Sequence, residues 1–159
     1  MNKARLLPLT EENLHLLLAR AVADADPLEV MPPVPGSIGW DPAARAAFLA
    51  FHRSRSVATQ RPVESTYVIV VEEQVVGAAR LALLDEGRLE VGAWIGQSHR
   101  GIGIGTAIMD ELWARARDSG ARQLVAHTTA DNGAACRLLD RAGAELTTSG
   151  RDVGAVVEL

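Results

Sequence analysis

Cysteine is nearly missing from this chain of 159 residues, which holds one, Cys136. A single thiol excludes an internal disulfide framework and a zinc site built on cysteines. Tyrosine also occurs once, at Tyr67. No run approaches the roughly 18 apolar residues of a membrane span, and the opening MNKARLLPLTEENL has no apolar signal-peptide core. Basic residues are outnumbered, 16 Lys and Arg against 20 Asp and Glu, for a net charge of −4. That balance argues against nucleic acid as the main partner and mildly favours a cationic one. A hydrophobic content of 48% and a charged content of 23% are ordinary for a globular chain. The length suits one domain, residues 1–159, with a core that needs no covalent staples. There is no internal repeat, low-complexity tract or linker.

The hydrophobic pattern predicts an order of elements. Residues 5–9 read as a strand, at an edge because of Pro8. Thr10 caps a helix with Leu14, Leu17, Leu18 and Ala21 at helical spacing, ending near residues 24–27. Residues 28–39 are rich in proline and glycine and read as a long loop. Asp41-Pro42 opens a second helix that fades into the basic stretch His52-Arg53-Ser54-Arg55. Residues 66–72 and 74–84 form a hairpin about Glu72-Glu73, and a turn at 85–87 leads to a strand over 89–95. After a glycine loop, a helix presents Ile108, Met109, Leu112, Trp113 and Ala116 on one face and stops at Gly120. A strand over 124–127, a helix capped by Asp131 or Asn132 and ended by Gly143, and strands at 144–148 and 153–158 complete the chain.

The glycine loop carries the strongest signal. The strand ends in Trp94-Ile95, a polar turn follows, and then Arg100-Gly101-Ile102-Gly103-Ile104-Gly105-Thr106 enters a helix. Strand, glycine loop and helix start together form an anion site, where main-chain N–H groups and the helix dipole converge. The GxGxxG dinucleotide fingerprint fails, because Thr106 stands where its third glycine belongs. A Walker loop fails too, since no Gly-Lys-Ser/Thr exists. What matches is Arg-x-x-Gly-x-Gly, through Arg100, Gly103 and Gly105. Here the chain resembles the GNAT superfamily of acyl-CoA-dependent N-acetyltransferases. It is most similar to the branch of the ribosomal-protein N-terminal acetyltransferases, in which a comparable strand, matched here by residues 90–95, runs into the same loop. The order of elements along nearly the whole chain is also that family's order.

The resemblance implies an α/β (α+β) fold: a mixed central sheet of about seven strands flanked by about four helices, with the fourth and fifth strands splayed to receive acyl-CoA. It implies acetyl-CoA as cosubstrate and no metal. Gly101, Ile102, Gly103, Ile104, Gly105 and Thr106 would hold the diphosphate through backbone N–H groups, with Arg100 closing the site. Tight strand–helix packing is the plainer explanation of those glycines. Trp94 and Ile95 would meet the pantetheine through main-chain groups, their side chains belonging to the core. Asn132 would contact the cofactor, although a helix cap accounts for it equally. Ala135 and Ala144 stand where the family often has serine and phenylalanine.

Glu90 is the candidate general base, because an ammonium must lose its proton before it can attack a thioester. Alternation puts Glu90 on the face of Gly92 and Trp94; an ion pair with Arg88 or another base is the alternative. Many relatives have a tyrosine seven residues after the capping asparagine, which protonates the departing thiolate; here that position is Leu139. His127 could supply such a proton or be structural, and Cys136 reads as a small buried hydrophobe. The acceptor is expected over residues 24–40, where Asp24, Asp26 and Glu29 would hold an amine or form a solvated acidic loop. The expected activity is acetyl transfer to a small-molecule amine, an aminoglycoside-type antibiotic among the options. A protein N-terminus is the alternative acceptor, and a non-catalytic CoA-binding regulatory domain or a nucleotide-binding switch is the rival of another class. A cytoplasmic location and a monomer or homodimer complete the expectation.

Overall fold

The strands between residues 64 and 95 are apolar on both faces, so each face needs its own cover. The computed structural model describes residues 3–85 and 87–159. Its elements are β1 (Ala4–Pro8), α1 (Glu11–Asp24), α2 (Pro27–Val30), α3 (Pro42–His52), β2 (Glu64–Val71), β3 (Gln74–Asp85), β4 (Arg88–Ile95), α4 (Ile104–Asp118), β5 (Gln123–Thr129), α5 (Gly133–Arg141), β6 (Glu145–Ser149) and β7 (Asp152–Glu158). One mixed sheet runs β1-β2-β3-β4-β5-β7-β6. Leu14, Leu17 and Ala21 of α1 and Ala44 and Phe48 of α3 pack on Val68, Val70 and Ala78. On the opposite face Ile104, Ile108, Leu112 and Ala116 of α4, with Leu139 of α5, pack on Ile69, Ala79, Leu81, Val91, Leu124 and Ala126.

Local chemistry sets the boundaries. Thr10 and Asn13 form a reciprocal capping box at the start of α1. Asp41 caps α3 with Pro42 in its first turn, and Gly120 and Gly143 take the left-handed conformation just past α4 and α5. The β2–β3 turn holds Glu72 and Glu73 at φ 50° and 66°, the mirror-image turn that matches strand twist. Two departures concern helices. Residues 28–39 are not all loop, because Asp26 caps a short helix, α2, with Pro27 and Glu29 in the favoured positions. The basic stretch after α3 is not a frayed end but a π turn, Arg53–Val57. Glu86, at the centre of the expected 85–87 turn, lies outside the described residues.

One irregularity positions everything that follows. β4 and β5 pair in parallel at three positions only: Arg88 with Gln123, Leu89 with Leu124, and Glu90 with Val125. Beyond these, β4 stays on β3 to Ile95 and β5 stays on β7 to Thr129. The sheet therefore opens a cleft whose walls carry main-chain hydrogen-bonding groups. Gly77 fixes the upper wall, since a Cβ there would meet the Trp94 carbonyl oxygen at 2.1 Å and the Ile95 Cα at 3.0 Å. These are backbone atoms, which cannot swing aside. Gly77→Ala is expected to cost about 1–3 kcal/mol in urea denaturation and to weaken coenzyme A binding by displacing the end of β4.

Candidate active site

The turn after β4 leads into an uncapped helix start. Gly101 and Gly103 sit at φ +76° and +89°, with open space where a Cβ would project. Gly105 serves a different end, because a Cβ there would press on Leu138 Cδ1 at 3.2 Å where α5 approaches. Ile104 is buried and anchors the first turn of α4, while Ile102 is exposed. The helices α1, α2, α3 and α5 each begin with a side-chain cap; α4 begins at Gly103 with none. Among the described residues, the N–H groups of residues 101–106 donate to no backbone oxygen, and the next, that of Ala107, bonds Gly103 O at 3.2 Å. A row of unpaired donors at a helix N-terminus accepts a diphosphate without rearrangement. Gly101, Ile102, Gly103, Ile104, Gly105 and Thr106 thus come together as the motif implies.

Arg100 points elsewhere. Its Nε donates to Ile95 O at 2.8 Å and its Nη2 to Glu29 Oε2 at 2.7 Å. The three acidic residues of the loop all have internal work. Asp24 accepts from the Ser98 N–H at 3.0 Å and the Ser98 hydroxyl at 2.5 Å. Burial opposes its charge, but Ser98, Arg20 and His99 together hold its carboxyl below the usual range. Asp26 caps α2 by accepting from the Leu28 N–H at 2.9 Å. Glu29 is held below the usual range first by the hydrogen bond from Arg100. These contacts strap the α1–α2 corner onto the glycine loop rather than presenting free carboxylates to a ligand.

Trp94 is half-buried against the α1–α3 layer and Ile95 against the α4 layer, so both side chains pack on the core. The Trp94 carbonyl lies against Gly77 of β3, and the Ile95 carbonyl accepts from Arg100 Nε. Asn132 accepts from the Ala135 N–H at 3.2 Å as the cap of α5, which leaves its amide NH2 group for a ligand. Leu139 is buried in the α4-side core. Cys136 is half-buried, with Sγ 3.7 Å from Thr129 O.

On the α1–α3 face of the sheet lies a cavity of about 540 Å³, bordered by α2, the α3 end with its π turn, β2, β3, β4 and His127. Glu90 is on its wall, at the last position where β4 and β5 pair. Of the partners considered for Glu90, Arg88 or another base, the structure supplies the second: Arg80, whose Nη2 is 2.7 Å from Glu90 Oε1, while Arg88 bonds Asp85. Gly92 makes room for this contact, because a Cβ there would lie 2.9 Å from Arg80 Nε. His127 Nε2 stands 3.8 Å from the other oxygen of Glu90. Sequence reasoning missed the opposite end of the cavity. There Glu64, with no exposed side-chain surface, accepts from Arg55 Nε at 2.5 Å and from the Thr66 hydroxyl at 2.6 Å. His52 is 4% exposed, and neither ring nitrogen has a partner. Burial pushes its pKa down to about 4, against the attraction of Glu64 and with the help of Arg55. The available signal was Glu64, Thr66 and Arg80, polar residues at alternating positions of otherwise apolar strands.

The acetyltransferase (GNAT) family matches over residues 32–144, and the chain belongs to that family. It is an acetyl-CoA-dependent N-acetyltransferase. Three solved structures share the fold. The GNAT domain of S. lividans PAT is 16% identical, with TM-score 0.73, 98% of this chain and 90% of that one covered. The ribosomal L7/L12 α-N-protein acetyltransferase RimL, in complex with coenzyme A, is 17% identical, with TM-score 0.73 and coverage of 99% and 94%. The Campylobacter jejuni N-acetyltransferase PseH, in complex with acetyl coenzyme A, is 14% identical, with TM-score 0.70 and 98% of each chain covered. No curated protein matches the sequence significantly. Among the described residues, no helix is long and apolar enough to cross a membrane, and no group of His, Cys, Asp and Glu is arranged to hold a metal.

Two outcomes follow for the loop and the cavity. Gly103→Ala places a Cβ at φ +89°, a conformation that costs an alanine about 1 kcal/mol. It should weaken coenzyme A binding in calorimetry while the chain stays folded. An unfolded histidine takes its proton near pH 6.5 and His52 near 4, so its contribution to stability is complete above pH 6.5 and is lost as pH falls towards 4. Between pH 7 and 4.5 the wild type should lose roughly 2–3 kcal/mol more than His52→Phe in denaturant titrations.

Proposed function

We propose that this N-acetyltransferase acts on a small primary amine that enters the 540 Å³ cavity and that Glu90 serves as its general base. One observation carries the reading: the carboxylate of Glu90 stands on the cavity wall at the point where β4 parts from β5. A group placed there faces the acceptor on one side and the cleft for the cosubstrate on the other.

Acetyl-CoA supplies a thioester carbonyl as electrophile. The N–H groups of residues 101–106 bind its diphosphate, and the edge of β4 that β5 leaves beyond Glu90 aligns the arm that follows. Asn132 offers its free amide group from the α5 side. Arg80, lying over Gly92, holds Glu90 in one orientation. An alkyl ammonium has a pKa of about 10, so at neutral pH Glu90 must take one of its protons, directly or through a water, before the nitrogen can attack. The new C–N bond forms first, and the C–S bond breaks as the tetrahedral intermediate collapses. Main-chain N–H groups of the opened strand steady the negative oxygen between those events. The attacking nitrogen, positively charged after it bonds to carbon, sheds a second proton, and the departing thiolate takes one up from solvent. The reaction releases one proton net for each ammonium consumed. Leu139 cannot perform that step, being a buried aliphatic side chain.

The charge of the cavity favours an acceptor with a single reactive amine. Arg55 and Arg80 offset Glu64 and Glu90, and Glu29 is spent on Arg100. A polycation would need a surplus of negative charge. The test is acetylation of an amine panel by the wild type and by Glu90→Gln, followed as free-thiol release. Glu90→Gln should lower kcat by about a hundredfold or more with unchanged affinity for coenzyme A; full activity would remove Glu90 from the mechanism.

A further inference from the structure

The far end of the same cavity is more specific than an amine alone requires. Among the described residues, Arg55 gives only its Nε to protein, in the bond to Glu64. Its terminal nitrogens have no protein acceptor, and its side chain is 34% exposed on the cavity wall. His52, three residues earlier, borders the same end of the cavity, but both its ring nitrogens are enclosed by protein and its ring packs edge-on against Phe48 and Phe51. Arg55 is therefore the donor at this end that a ligand can reach. The π turn is what puts Arg55 and Ser56 beside Glu64 and Thr66.

We propose that the acceptor carries a carboxylate remote from its amine, and that Arg55 receives it. This rests on the acetyl-transfer reading of the cavity and adds the second half of the acceptor. A guanidinium with two free terminal nitrogens binds a carboxylate in a fork. The sheet register sets the span. Glu64 pairs with Ala82, and Ala82 with Glu90, so the two ends of the site are two strand spacings apart, roughly 10 Å. The arms of Arg55 and Glu90 shorten the gap between the groups they hold to about the length of two residues, ~7 Å. A dipeptide or an ω-amino acid of similar reach bridges it; an α-amino acid, with amine and carboxylate on one carbon, does not.

The test uses glycylglycine and glycylglycine amide, which differ only in the remote charge. Titrated calorimetrically into protein saturated with coenzyme A, the acid should bind at least about tenfold more tightly than the amide. The same preference should appear in kcat/KM for acetylation. Equal affinity for the two overturns the proposal. Removing Arg55 alone would strand the charge of buried Glu64, so the informative variant is the double one, Arg55→Met with Glu64→Gln. In it the acid-to-amide ratio should fall towards one, while Arg55→Lys keeps part of it; an unchanged ratio in the double variant also overturns the proposal. The binding arm separates this inference from the transfer reading. Selective binding of the acid without acetylation leaves the acid subsite standing and removes the proposed transfer. Acetylation of both peptides without preference removes the acid subsite alone.

Discussion

Three paired positions between β4 and β5 are the constraint on which the rest depends. A parallel pair carried to its full length would satisfy its own main chain and leave no room for a substrate. Here the pairing stops at Glu90 and Val125, and the neighbours on either side hold the two strands apart. β3 keeps β4 straight to Ile95, and β7 keeps β5 straight to Thr129. The opening is therefore bordered by the two strand edges that the pairing leaves. The same divergence point aims the chain into the glycine loop and carries Glu90, the proposed base.

The loop and the cavity are mechanically joined. Asp24 at the end of α1 bonds Ser98, and Glu29 of α2 bonds Arg100. Both ties run from the α1–α2 corner to the turn that precedes α4. Gly96 permits the first, since a Cβ there would meet Asp24 Oδ2 at 2.3 Å. The corner that closes one side of the cavity is thus anchored to the turn proposed to receive the diphosphate. Neither carboxylate is free to act as a simple counter-charge for a cation, so the polar selectivity of the site falls to the residues on the sheet and the π turn.

Much of this was legible beforehand. The strand order and helix limits follow from hydrophobic period and from caps such as Thr10, Asp41, Gly120 and Gly143, because these act over a few residues. The anion loop was legible for the same reason: Gly101 and Gly103 need left-handed φ within one short segment. The short helix α2 was hidden by the surrounding prolines, although Asp26-Pro27 and Glu29 carry the marks of a capped start. The π turn left no trace in the pattern, because its extra residue per turn is stabilised by contacts with β2 and not by its own composition.

By itself, the sequence determined the family, the order of the strands and longer helices along the chain, the glycine loop before α4 and the face of β4 on which Glu90 stands. All of these rest on local propensity and on motifs read within some twenty residues. Only the tertiary structure decided which charges meet: Arg80 rather than Arg88 at Glu90, Glu29 at Arg100, Arg55 at Glu64, and His52 left without a partner. Those pairings join residues up to 71 positions apart. They depend on sheet register, on a π turn and on the space left by Gly92, and no local pattern records them.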